Sequence, residues 1–420
     1  MPTAIGRRLR QPVVAVPLPW TPTHQAVAAA VASRLGVQDP VEPAGPVFWP
    51  NFAALARRHG VAAFIHDSDR LAAYGAPQRL VDELAQAMWH TRLQAMAKFG
   101  LLRDVLAVLG EEDIGVIVLK GLPLAHWGYG DFTVRRCGDI DLVVAPERAA
   151  DAMAALGRLG LSEPPMVGRL SAARLDAVLH DLAHVGSFHE INVMVGGNLI
   201  DLHWRLTENP HLMPFDLSWL NEPATVSFAG LDVPTLPPDA AWWYLSVHGT
   251  KHEWRQMKWL ADIAAVAIRH PEVYGRASLN RAAEAGLDHC AAAGMGLAEL
   301  VFGSFLDDDA RAFVGSTAGT PAIVRRSWTA LSTEPRSHIP AAQLPGYIRF
   351  RMLFRADARY RVAEARRLVI HTGTLRTTIS PGPIQLAAAP VYWLGRTLRR
   401  AVTRHLPSTP RSPRSPRSRR

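Results

Sequence analysis

The sequence predicts an α+β fold: a small mixed β-sheet with flanking helices, followed by a mainly helical C-terminal domain. Three observations lead there. Short apolar runs of strand type, "VIVL" from Val116 and "DIDLVV" from Asp139, alternate with helical stretches between residues 76 and 236. Two further strand-like runs, "GSFHEINVMV" and "LIDLHWRL", are joined by Gly196-Gly197-Asn198, residue types that tolerate the positive φ of a tight β-turn. From Pro237 onward the apolar spacing is that of helices.

Along the chain, residues 1–75 form a Pro-rich region with one helix predicted at "THQAVAAAVASRLG". Pro77 to Leu109 read as a nearly unbroken helix, weakened at Gly100. "EEDIG" then turns the chain into the strand "VIVL". After Lys120-Gly121, "LPLAHWGYG" is long enough for a short helix, and "DFTVRRCG" is a loop. "DIDLVV" is the next strand, stopped by Pro146. "PERAADAMAALGRLG" is an amphipathic helix ended by glycine, and "RLSAARLDAVLHDLA" offers another. The hairpin completes a core over 76–236. In the helical domain, 237–370, "PDAAWWYLSVHGTKHEWRQMKWLADIAAVAIRH" reads as one helix or as two meeting at Gly249. Residues 316–345 read as loop, and "YIRFRMLFRADARYRVAEARRLVI" as one strongly basic helix. A C-terminal extension covers 371–406. Residues 407–420 are Pro, Ser and Arg with a single Thr and nothing that could form a core, so disorder is expected.

Composition narrows the class. The 420 residues are 48% apolar and 20% charged, ordinary for a globular protein, and no apolar run reaches the length that spans a bilayer. The prolines around the early apolar patch argue against a signal peptide, so a cytoplasmic location is expected. Two cysteines exclude a disulfide scaffold or a cysteine-rich zinc site. Net charge is +9, but the last ten residues hold five arginines, and without them it is +4. Long nucleic acid, which needs many phosphate contacts, is therefore disfavoured as a partner except through that tail. The plainer reading is a solubilising or incidental tail, ahead of one that touches nucleic acid or an anionic membrane. Only four basic residues are lysines: Lys98, Lys120, Lys251 and Lys258.

The informative pattern is a pair of aspartates inside an apolar strand. Asp139 and Asp141 are two apart, so they share one face, with Ile140 and Leu142 opposite. Two such charges about 4 Å apart repel by roughly 4 kcal/mol at an effective dielectric of 20. A divalent cation reverses that sign, and carboxylate oxygens suit Mg²⁺. In the hairpin's second arm Leu199, Asp201 and His203 share a face. Asp201 could thus complete a two-metal site on a neighbouring strand. Lys120-Gly121 follows a strand and precedes a helix. A helix start presents N–H groups to an anion, Gly lets a phosphate approach the backbone, and Lys adds a cation.

These residues carry a resemblance. "LKG", "R…GDIDLVV", "IDLHW" and "HGTKHEWRQMKWLADIA" resemble the uncharacterised nucleotidyltransferase family of the DNA polymerase beta-like superfamily, over roughly residues 75–370. The resemblance implies the minimal nucleotidyltransferase fold. It also implies transfer of a nucleoside monophosphate from a nucleoside triphosphate to a hydroxyl acceptor, using Mg²⁺ or Mn²⁺. By position, Gly121 matches the glycine motif, Asp139 and Asp141 the metal pair, and Asp201 the third carboxylate. The superfamily usually has Gly-Ser or Gly-Gly where this chain has Lys-Gly.

A second group lies in the helical part. Counted along one helix from His248, a stripe takes in Lys251, His252, Arg255, Lys258, Trp259 and Asp262. It is either a wall that meets the triphosphate or the acceptor, or the solvent side of an amphipathic helix. His248 and His252 make H-x-x-x-H, but Gly249 stands where a zinc-protease helix has Glu. Asp262 is expected to pair with a cation or to orient His252 or Lys258. His203 could contact a phosphate or the acceptor, or be a buried ring satisfied by a carbonyl. Arg135 and Arg136 precede the D-x-D strand, and Arg136 is the one carried forward as a phosphate ligand. Against catalysis stands a nucleotide-binding scaffold of the same fold. A glycosyltransferase, whose D-x-D also binds metal, is disfavoured because no N-terminal βαβ pattern precedes it.

Overall fold

A computed structural model describes residues 20–163, 189–333 and 343–372. The helix expected at "RLSAARLDAVLHDLA", the 373–406 part of the extension and the basic tail lie outside them. The first half runs α1 (Pro22–Leu35), α2 (Trp49–Arg58), α3 (Asp69–Ala73), α4 (Gln78–Glu111), β1 (Val116–Val118), α5 (Leu122–Tyr129), β2 (Asp139–Val144), α6 (Ala149–Gly157) and β3 (Leu161–Glu163). After the gap come β4 (Glu190–Val195), β5 (Asn198–His203), α7 (Ser218–Asn221), β6 (Ala224–Phe228) and β7 (Leu231–Thr235). The rest is helical: α8 (Pro238–Lys251), α9 (Met257–Arg269), α10 (Arg276–Glu284), α11 (Asp288–Phe302), α12 (Asp308–Ser316), α13 (Thr320–Ser332), α14 (Leu344–Met352) and α15 (Ala358–Thr372). The fold is α+β, as predicted.

The seven strands form one mixed sheet in the order β3-β4-β5-β2-β1-β7-β6. β2 runs antiparallel to β1 and parallel to β5, and β5 closes the Gly196-Gly197 hairpin with β4. Both glycines have φ in the left-handed region, 54° and 75°, as a tight hairpin turn needs. One sheet face is apolar throughout. Ile140, Leu142 and Val144 of β2, Ile200 and Leu202 of β5, and Ile191 and Val193 of β4 pack with Leu102, Val105 and Leu109 of α4 and with α6. Burying that face fixes the register, because a slip of one residue would drive the aspartates into this core. The opposite face turns Asp139, Asp141 and Asp201 toward a second core, built by α1, α2, α8, α9, α11 and α13.

Several boundaries differ from the sequence reading. Residues 316–345 are not loop throughout: α13 occupies Thr320–Ser332, with Pro321 in its first turn, where a missing N–H costs nothing. The basic stretch from Tyr347 is two helices. The Asp357 carboxylate accepts from the backbone N–H groups of Arg359 and Tyr360 and so starts α15 afresh. The helix from Pro238 does not break at Gly249. It runs to Lys251, and the chain turns through Glu253 and Trp254, both with positive φ. Trp254 is fully buried, and a Cβ at Gly249 would lie 2.3 Å from its ring. Gly249 is therefore the flat surface on which the indole packs. Among the described residues, no helix is long and apolar enough to cross a membrane.

Candidate active site: an acidic cluster on the sheet

The parallel pairing of β2 and β5 sets Asp141 directly beside Asp201 and puts Asp139 one step along the same face. β4 adds a third row, Asn192 opposite Asp201 and Glu190 opposite His203. The Asn192 amide donates to the Asp201 carboxylate. His203 sits between two acids, its Nε2 3.5 Å from Asp141 and its Nδ1 3.3 Å from Glu190. His189 Nε2 lies 3.1 Å from the same Glu190. Asp141 and His203 are almost fully buried, whereas Asp139 keeps part of its carboxylate open.

The electrostatics follow from crowding. Burial and then the charges of Asp141 and Asp139 push the Asp201 carboxyl up to about 7. Burial also opposes ionisation of Asp141, but the Lys120 ammonium and His203 outweigh it and hold that carboxyl below its ordinary range. Burial resists charge on Glu190 too; His189 and His203 overcome it and bring it to about 2. One side chain of the cluster is held strongly ionised while its neighbour resists ionisation, which marks a site short of positive charge.

Lys120 contributes positive charge at the β2 carboxylates. Its Nζ is 2.6 Å from Asp141 and 3.2 Å from Asp139. Sequence reasoning aims it at phosphates; in the structure it is folded back onto the carboxylates. Burial opposes its charge, and Asp141 and Asp139 more than compensate, so it stays an ammonium. Gly121 follows with φ 81° and ψ −124° as the residue capping α5. This is a conformation for glycine, and it brings the helix start to the rim of the acidic cluster.

The facing wall comes from α8 and α9. Tyr244 is buried, and burial, then the charges of Asp141, Glu190, Asp139 and Asp201, hold its hydroxyl well above the ordinary range. A turn later, His248 lies in the field of Lys120, and burial, then the neighbouring cations, hold it neutral. The rings of His248, His252 and Trp259 meet at centroid distances of 4.6, 5.6 and 5.3 Å. The stripe counted as one helix is thus assembled across the bend between two. Lys258 lies beside Trp259, and burial and Arg135 push its ammonium down to about 8. Lys251 is 3.4 Å from Glu208, and Arg136 is exposed at the mouth of the D-x-D loop.

Arg135 has a different place from Arg136. Its guanidinium makes a two-pronged bond to Asp262, at 2.6 and 2.7 Å, and the Tyr129 hydroxyl donates to the same carboxylate at 2.8 Å. Arg135 and Asp262 are both buried. The pair ties the loop before β2 to α9, so the two motifs that carry them are halves of one contact.

The cluster fits a divalent cation. The donor set is carboxylate oxygen with one imidazole, and donor atoms of Asp141, Asp201 and His203 lie within 4.8 Å of one another. Such donors suit Mg²⁺ and Mn²⁺. A family model described as uncharacterised nucleotidyltransferase matches residues 45–303, which contain every one of these side chains.

The chain belongs to the uncharacterised nucleotidyltransferase family.

The family match begins before and ends before the 75–370 span that the motifs suggested. Among solved structures, the solution structure of the antibiotic-resistance factor ANT(2'')-Ia is similar over 46% of this chain and 96% of that one, at 17% identity and a TM-score of 0.30, a likeness too slight to carry an argument. No curated protein matches the chain. Sequence reasoning missed Glu190, Asn192 and Tyr244. The first two were within reach: Glu190 and Asn192 alternate with Ile191 and Val193 in the same way as Asp139 and Asp141 alternate with Ile140 and Leu142. Tyr244 carries no local signal, since its helix is apolar nearly all round.

Proposed function

We propose that this protein transfers a nucleoside monophosphate from a nucleoside triphosphate to a hydroxyl of a small molecule, glycan or peptide, with Mg²⁺ or Mn²⁺. The observation that carries the reading is the register of β2 on β5, which converges Asp139, Asp141 and Asp201 on one face. In this reading Lys251, His252 and Lys258 of the helical part form the opposite wall of the cleft. Asp139, Asp141 and Asp201 hold the divalent cation, with the His203 imidazole completing the donor set beside Asp141. When bound, the cation supplies charge neutralisation to the triphosphate and acidity to the acceptor hydroxyl.

The chain's own groups do the rest. Gly121 at the start of α5, with Lys258 and Arg136, binds the phosphates. His248, His252 and Lys251 border the same space and orient the nucleotide. Asp201 accepts the acceptor's proton as its oxygen bonds to the α-phosphorus; the bond from that phosphorus to the bridging oxygen breaks, and pyrophosphate leaves.

The test is incubation of the protein with Mg²⁺, each common nucleoside triphosphate labelled at the α-phosphate, and fractionated hydroxyl-bearing acceptors. Transfer of the α-label with matching pyrophosphate release is the expected result. Nucleotide binding with no pyrophosphate released in any fraction would contradict it and favour the nucleotide-binding scaffold.

A further inference from the structure

Lys120 occupies the place where the cluster needs its cation. Its ammonium lies within 3.2 Å of both Asp139 and Asp141, the two carboxylates that β2 presents for metal. The side chain is about 10% exposed, so it is not a surface group resting there by chance. Its alkyl stem starts from the residue just before the Gly121 cap, and a flexible four-carbon stem is long enough to reach the start of α5 as well as the carboxylates. An ammonium and a divalent cation repel strongly at such a separation in a site shielded from water. The two cannot share this carboxylate pair.

We propose that Lys120 is an internal counter-ion that keeps divalent metal out of the carboxylate pair until a nucleoside triphosphate arrives. This rests on reading the cluster as a metal and nucleotide site. A Lys120 ammonium leaving the aspartates must find another anion, because a buried charge without a partner is costly. His248, held neutral, and the Lys258 ammonium offer none. The triphosphate brings that anion to the α5 start. Lys120 moves to the phosphates, the aspartates are freed, and metal and nucleotide enter together. Each then raises the other's affinity, as linkage requires. The metal-free protein is meanwhile spared the repulsion of bare carboxylates.

Two measurements test this. The first is Mn²⁺ binding without nucleotide, followed by electron paramagnetic resonance, for the wild type, Lys120→Met and Lys120→Arg. Lys120→Met is expected to bind Mn²⁺ at least about tenfold more tightly than the wild type, while Lys120→Arg, which keeps the charge, stays weak. Equal affinity in the wild type and Lys120→Met overturns the proposal. The second needs no loss of the side chain. The chain has only four lysines, so protein labelled with ¹⁵N at lysine Nζ gives a spectrum in which the Lys120 signal is the one absent from Lys120→Arg. That signal is expected to hold still with Mg²⁺ alone and to shift when a non-hydrolysable nucleoside triphosphate is added with it. A full shift with Mg²⁺ alone overturns the proposal but leaves the metal site standing. No Mn²⁺ binding in any variant, with or without the nucleotide, overturns both.

Discussion

Asp141→Asn is expected to lower turnover by roughly 10³-fold or more while the protein stays folded, because several kcal/mol of transition-state stabilisation corresponds to about that factor. The substitution keeps the shape of the side chain and removes its charge. Asp141 lies beside Asp201 in register and nearly out of solvent, so no other carboxylate can replace it from the same direction. Lys120 keeps Asp139 as a partner 3.2 Å away, and Asp201 loses a repelling neighbour, so the fold loses little. Circular dichroism and a melting curve would establish the fold, and pyrophosphate release the activity. Full turnover in a folded Asp141→Asn protein would rule out the cluster as the reaction centre.

Asp262→Ala is expected to do the reverse, costing the fold itself. The change strands the Arg135 guanidinium in a buried place with no counter-charge and takes the acceptor from the Tyr129 hydroxyl. Breaking a buried pair from one side costs about 3–5 kcal/mol. The expected result is a large fall in the urea midpoint with the slope unchanged. Replacing both partners at once, as Arg135→Met with Asp262→Leu, should recover much of the loss, since an apolar pair of similar volume carries no stranded charge. A midpoint unchanged by Asp262→Ala would mean that this pair does not hold the D-x-D loop against α9.

These two aspartates also show what could be read beforehand. Asp141 was legible because a strand has a two-residue period: charge on alternate positions of an apolar run has one physical meaning, a polar site on one face. The same logic applied to "EINVMV" reaches Glu190 and Asn192 as well. Asp262 was legible as a residue needing a cation, but not which one, because Arg135 lies more than a hundred positions away and only tertiary packing joins them. The turn at Glu253 and Trp254 was illegible for the same reason. The indole packs on Gly249 of the preceding helix and on Gly294 of α11, and only tertiary packing brings Gly294 there. The β6–β7 hairpin was not read from the sequence; Pro234 lies inside β7, where the pairing with β1 is at Thr235 rather than at the proline. Lys120 was legible in part. Its position before Gly121 fits a phosphate cradle, and a four-carbon stem can reach either that cradle or the carboxylates.

Crystals grown with Mn²⁺ and a non-hydrolysable nucleoside triphosphate would test the central claim most directly, through the anomalous signal of the metal. The account predicts a peak at bonding distance from Asp139 and Asp141, on the Asp201 side, with the triphosphate touching it. Nucleotide in the cleft with no anomalous peak among these three carboxylates would contradict it.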